Sequence, residues 1–279
     1  MKKINFLIFF SFIFCQAEFQ ISTIPENAIM VSSHKGLSGL KIQNNISDNI
    51  DFDFINFPAN INYANLKYKN YSLSILDYGK FENKIGTNTI RTFNAYELKL
   101  NYYLKKNLSN KFLLQSSVGI IYSQIDHYNS SAFSLNNKFS TQLKTHNINL
   151  ALAINNLGIV TDSYTSIKQK LPLQYQFGIT HNVNTTKMIL GYDLIYHTNI
   201  KKNEHILCMQ LAIIESINFR ISASNFRNNL LSGDIKRDWF YGFGYGLSIN
   251  SDKIISDIGV SSLGDAGFVY AISIDYKVN

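Results

Sequence analysis

The sequence predicts an all-β chain, an antiparallel transmembrane β-barrel of about 14 strands, with 12 to 14 as the range. Three observations carry this expectation. The C-terminal stretch Gly267–Val278 alternates: Phe268, Tyr270, Ile272, Ile274, Tyr276 and Val278 take every second place, with Val269, Ala271, Ser273, Asp275 and Lys277 between. Successive side chains of a strand point to opposite faces, so one face is apolar and the other small or polar. The chain opens on an export signal, and many further segments of similar length separate the two ends. A last strand left open would expose a row of unpaired backbone groups, and pairing it with the first strand removes that edge.

Met1–Ala17 has the form of a secretory signal. Lys2 and Lys3 supply the basic end, and Phe6–Cys15 is an apolar run about 10 residues long, too short to span a bilayer as a helix. Cys15-Gln16-Ala17 fits the small-x-small rule, which places the mature start at Glu18. No later run of 18 apolar residues follows, so crossing by helix is not expected. Removing the signal lowers the formal charge from +7 to +5, with 24 basic against 19 acidic residues. No Lys/Arg cluster accompanies that excess, which argues against nucleic acid as a partner. Cys208 is then the sole cysteine, so an intrachain disulfide is excluded; within apolar Ile206–Ile213 it reads as a small buried or lipid-facing hydrophobe. Three prolines and 20 Phe with 17 Tyr suit a barrel with aromatics at its membrane interfaces.

The expected organisation is signal 1–17, an N-terminal segment 18–56 and a barrel 57–279. Segment 18–56 lacks a sustained period, and Asn44, Asn45, Asp48 and Asn49 mark turns. It holds a lumen plug, an arm or the first strand. Pro58 suits a strand start. Strands are then expected at Ile61–Lys69, Tyr71–Tyr78, Phe93–Leu104, Phe112–Tyr122, Ala132–Leu143, Asn147–Leu157 and Leu171–Thr180. Lys187–His197, His205–Ile213, Ile217–Ser224, Trp239–Ile249, Ile254–Ser261 and the final stretch complete 13. Phe93–Leu104 illustrates the pattern, with Tyr96, Leu98, Leu100, Tyr102 and Leu104 on one face and Glu97, Lys99 and Asn101 on the other. On a helix Glu97 and Lys99 would lie about 200° apart. One further strand within 18–57 gives the even count that single-chain barrels use. Gly79–Thr92, Gly158–Lys170 and Asn225–Arg237 read as polar loops and candidate partner surfaces. Gly242, Gly244 and Gly246 leave space inside, for a plug to approach or for the sheet to bend.

No catalytic, cofactor or metal residue is assigned. Gly242–Gly246 lacks the strand-then-helix context and following Lys of a phosphate loop. His34, His127, His146, His181, His197 and His205 show no metal spacing. Asp126 and His127 near several serines invite a triad, but no G-x-S-x-G elbow accompanies them. Glu97, Lys99, Arg220, Asp257, Asp275 and Lys277 fall on polar faces, where they either line a solute path or pair and fill the lumen.

Asp77-Tyr78-Gly79-Lys80-Phe81-Glu82 followed by Phe93-Asn94-Ala95-Tyr96-Glu97 resembles a hairpin of the PorV/PorQ family. Ile121–Asp126 with Tyr128–Ala132, and Asn155–Gly158 with Leu171-Pro172-Leu173, are similar to later family segments in the same order, closest to PorQ over residues 56–185. The family's opening Gly/Ala-rich segment is lacking, and Phe57-Pro58-Ala59 fits its "NPA" motif only in part. The resemblance implies a 14-stranded FadL-like barrel in the outer membrane, without enzymatic activity. Its implied partners are outer-membrane lipid and proteins of the type IX secretion attachment complex, a sortase or a surface-anchored component. Transport of hydrophobic small molecules is the alternative that a FadL-like architecture permits.

Overall fold

The computed structural model describes residues 19–36, 49–85, 88–109, 111–143, 147–165, 170–230 and 238–278; residues 1–17, where a signal is expected, lie outside them. Fourteen antiparallel strands form a closed barrel. They are β1 Asn49–Phe57, β2 Ile61–Tyr68, β3 Tyr71–Ile85, β4 Asn88–Asn107, β5 Phe112–Ile125, β6 Tyr128–Leu143 and β7 Ile148–Asp162. The circuit continues with β8 Gln174–Val183, β9 Met188–His197, β10 Lys202–Ile214, β11 Ile217–Ser224, β12 Phe243–Asn250, β13 Ile254–Ser262 and β14 Phe268–Lys277. Each strand pairs with its sequence neighbours, and β1 closes on β14 from Asn49↔Lys277 to Asn56↔Tyr270. The N-terminal segment therefore holds both the first strand and, in residues 19–36, a lumen plug.

The alternation places greasy side chains outside and polar ones inside, the reverse of a soluble core. Tyr270 is 53% exposed beside Val269 at 3%, and Leu100 is 49% exposed beside Lys99 at 3%. A hydrocarbon phase offers the backbone no hydrogen bonds, and only a closed sheet leaves none unmade at its edges. Lysine at Leu100, near the middle of the apolar belt, is expected to destabilise the barrel by roughly 2–4 kcal/mol in a lipid refolding titration.

Two polar stretches depart from the sequence expectation. Gly79–Thr92 is not a loop, because β3 runs on to Ile85 and β4 starts at Asn88. β2 pairs with β3 only up to Asn62↔Asp77, and β5 with β4 only up to Ala95↔Ile125, so the end of this hairpin stands free as a two-stranded ribbon. Outside the closed sheet a strand need not present one apolar face, and the sequence there lacks the apolar period. Gly158–Lys170 likewise begins as strand, with β7 continuing to Asp162. At the other boundaries, Leu171-Pro172-Leu173 precedes β8, and Trp239–Tyr241 precedes β12. Trp239, 67% exposed, sits on the rim, where aromatics meet the membrane interface.

The two ends of the barrel differ. At the end carrying Asn49 and Lys277 the connections 69–70, 215–216 and 251–253 are short; at the other they include 163–173 and 225–242. In outer-membrane barrels short turns face the periplasm and long loops the outside, and the two ends are named inner and outer on that rule.

Candidate functional site

The lumen is the candidate site, and residues 19–36 occupy it. A single 3-10 turn, Gln20–Ser22, leads to the short helix α1, Ala28–Ser32, capped by Asn27 Oδ1 accepting from Met30 N at 2.8 Å.

The outer half of the plug is seated by one carboxylate and an apolar cluster. Glu97 accepts hydrogen bonds from the backbone N–H groups of Gln20 (3.1 Å) and Ile21 (2.9 Å) and from the Tyr78 hydroxyl (2.8 Å). Two backbone donors that no helix or sheet satisfies are thereby paired. Around them Phe19, Ile21, Ala28 and Val31 pack with Ile55, Tyr63, Leu76, Ile121, Ala132 and Leu171. A β-bulge contributes a further contact. Asn156 has φ 61° where the β6–β7 register shifts, and its amide turns inward to donate to Ser22 O (3.1 Å) and Pro172 O (3.2 Å). Re-aiming a side chain in this way is a common use of bulges.

Helix α1 lies against β11–β14. A Cβ on Gly244 would stand 2.6 Å from Ser32 O, one on Gly246 2.6 Å from Ser32 Oγ, and one on Gly259 would overlap Ala28 O. The strand glycines thus make room for plug backbone. Arg220 donates to Ser32 Oγ (2.9 Å), Ser248 Oγ (3.0 Å) and Gln210 Oε1 (3.3 Å), with Asp257 at 4.0 Å. Ala28 N donates to Ser273 Oγ (2.9 Å), Ser273 to Asp53 (2.5 Å), and Asn65 to the other Asp53 oxygen (2.8 Å). Lys99 forms an ion pair with Glu26 at 2.9 Å, and Gln176 donates to Lys35 O at 3.0 Å.

His34 adds a pH-dependent contact. Ser222 donates its hydroxyl proton to Ser32 O (2.6 Å), so His34 must donate from Nδ1–H to Ser222 Oγ (2.7 Å). Burial lowers the imidazole pKa from 6.5 to about 4, with Glu204 opposing and Lys35 reinforcing the shift. A pKa below the unfolded value means that neutral His34 is favoured in place. The stabilisation is complete above about pH 6.5 and is lost as the pH falls towards 4. Hydrogen exchange of residues 27–36 is expected to accelerate across that window, and His34→Gln should show a smaller acceleration after correction for intrinsic exchange.

Of the charged residues singled out from the sequence, Glu97, Lys99 and Arg220 therefore meet the plug. Asp275 accepts from Asn49 Nδ2 (2.6 Å), and Lys277 donates to Asp252 O (3.3 Å), both at the inner mouth. Cys208 is buried on the lumen side and not against lipid. His197 bonds Glu204 at 3.0 Å, His205 bonds Tyr192 at 2.7 Å, and His181 is exposed; His146 lies outside the described residues. His127 contacts Asp126 at 3.0 Å on an outer turn, where Asp126 also binds Arg91 at 2.6 Å, and no serine bonds His127 among the described residues. Nor, among those residues, do three metal-ligating side chains converge.

The sequence reading missed Glu26, Ser32, Asp53 and Asn156. For Asp53 a signal existed in Ile50, Phe52 and Phe54 alternating with Asp51 and Asp53.

Below the plug a cavity of about 680 Å³ opens inward, lined by plug residues such as Glu26 and Met30 and by polar wall residues such as Gln115, Asn136, Lys138 and Gln210. The outer end is thus closed by apolar packing, and the inner end holds a polar vestibule.

No family model matches the chain, and no curated protein matches it. Among solved structures it is similar to the Ralstonia pickettii toluene transporter TbuX, with 7% identity, a TM-score of 0.52, and 91% of this chain and 98% of that one covered. It is also similar to a deltaS2S3 mutant of TodX, a monoaromatic hydrocarbon channel, at 9% identity and TM-score 0.53 over 82% and 89% of the chains. The fold is that of FadL-type outer-membrane barrels. At these identities the likeness is one of fold alone.

Proposed function

We propose that the chain is a hatch-gated outer-membrane transporter of hydrophobic small molecules, with residues 19–36 as the hatch. One observation carries this reading: Phe19, Ile21 and Val31 fill the outer end of the lumen against Ile55, Tyr63, Leu76 and Ile121. Withdrawal of the hatch leaves an apolar chamber with the same walls, the kind of surface that small apolar solutes enter. The descriptions of TbuX and TodX, a toluene transporter and a monoaromatic hydrocarbon channel, support the same substrate class. Proteoliposomes test it with labelled toluene and a labelled fatty acid. Uptake above that of empty liposomes is expected, and it should rise in Glu97→Leu. No uptake by either protein counts against transport.

A second reading is a component of type IX secretion that anchors or shuttles partners of the surface attachment complex. The specific observation in its favour is that the segments resembling PorV/PorQ supply the hatch seat. Tyr78 and Glu97 bond one another and the hatch, Asn156 bonds Ser22, and Ile121, Ala132 and Leu171 share its apolar cluster. A lumen fastened shut by Glu97 and by the Lys99–Glu26 pair suits a tether. Co-purification with a sortase or surface-anchored partner supports this reading, and normal cargo attachment in a deletion strain opposes it.

A further inference from the structure

The vestibule carries charge that seating the hatch does not account for. Eight basic side chains line it against four carboxylates. The wall charges on the arc from β2 to β6 are all basic: Lys67 and Lys69 project from β2 and its turn, Lys99 and Lys105 from β4, and Lys138 from β6. On the other arc Asp51, Asp257 and Asp275, from β1, β13 and β14, stand with Arg220 of β11 and Lys277 of β14, and Lys35 comes from the plug. Lys67 is paired with Asp51 at 3.0 Å and Lys99 with Glu26 at 2.9 Å.

The register aligns two further lysines. Lys105 stands opposite Gln115, Gln115 opposite Lys138, Lys138 opposite Ala153 and Ala153 opposite Gln176, so one row crosses β4 to β8. Strand spacing puts the two lysine backbones about 10 Å apart, with an amide between them. Lys138 has no hydrogen-bond partner among the described residues, and the carboxylate acting on it is Asp193. An excess of one sign within low-dielectric walls concentrates counter-ions. Lysines on flexible stems suit carboxylates and phosphates as point charges, and amides supply donors beside them. An apolar solute would gain nothing from this lining.

We propose that this basic arc binds a small polar polyanion, a molecule with two or more carboxylate or phosphate groups, entering from the inner mouth. The ligand would bridge Lys105 and Lys138 over Gln115. This site is separate from the apolar outer chamber and does not depend on hydrophobic transport.

Calorimetry on the detergent-solubilised mature chain tests the proposal with citrate, inorganic phosphate and glucose as probes. One saturable citrate site per barrel is expected, tighter than phosphate, with no glucose binding. Citrate affinity should fall about tenfold between about 50 mM and about 500 mM NaCl. The double variant Lys105→Gln/Lys138→Gln should lose at least about tenfold in citrate affinity, and Lys201→Gln/Lys202→Gln, at the outer rim, should lose nothing. If the lumen double variant does not fold, each single substitution should still weaken binding about threefold or more. Absence of citrate binding, equal binding by the lumen variants, or an equal loss in the rim control would overturn the proposal. Toluene uptake is read separately, so its failure leaves this result standing.

Discussion

Glu97→Leu is expected to release the hatch while leaving the barrel wall intact. The carboxylate accepts from Gln20 N, Ile21 N and the Tyr78 hydroxyl, all in a water-poor setting. Hydrogen bonds to a charged group contribute about 1.5–3 kcal/mol each, and leaving two buried backbone donors unpaired adds to the loss. Hatch docking should weaken by roughly 3–6 kcal/mol. The backbone of residue 97 keeps its pairing with Leu76 and Ser123, so strand structure is not at stake. Maleimide labelling of Ile21→Cys in a Cys208→Ser background reads the effect. The parent should be nearly inert, and the same protein carrying Glu97→Leu should react at least about 100-fold faster. Glu97→Gln should fall between them, because one amide oxygen still accepts. Equal rates in all three proteins would show that the carboxylate does not hold the hatch.

Gly259→Val is expected to displace helix α1 by a different route. Any Cβ at this position overlaps the Ala28 carbonyl, which is backbone and cannot rotate away. The substitution keeps the ladder to Gly246 and Ala271, and valine suits a strand better than glycine does. Barrel stability should therefore change by less than about 1 kcal/mol, while the helix contact loses about 1–3 kcal/mol or more through overpacking. Hydrogen exchange of residues 28–33 should accelerate at least about tenfold without a lower unfolding midpoint. A lower midpoint with an unchanged hatch would place the strain in the wall and refute the account of the glycines.

The wall was legible in the sequence because each lipid-facing strand must alternate. Tyr270, Ile272 and Ile274 against Ala271 and Ser273 leave no other reading once the chain is taken to cross a membrane. The extended β3–β4 hairpin was hidden because its end leaves the closed sheet, where no apolar face is needed. β1 was obscured by the turn-like residues Asn44, Asn45 and Asp48 before it and Asn49 at its start, although Phe52 and Phe54 carry the period. The hatch had one indirect signal, the glycines facing it from β12. Its anchors Glu26, Ser32 and Asn156 had none, since each acts through a contact across 73 to 188 positions, or 134 for Asn156. Sequence spacing does not encode pairings of that length.

The central claim is a closed membrane barrel stopped by its own N-terminal segment, and conductance in a planar lipid bilayer tests it most directly. Residues 18–279 should insert and remain silent, and the same chain lacking residues 19–36 should give stable ohmic steps. Steady conductance through the intact chain, or silence after the segment is removed from a correctly inserted barrel, would contradict the account.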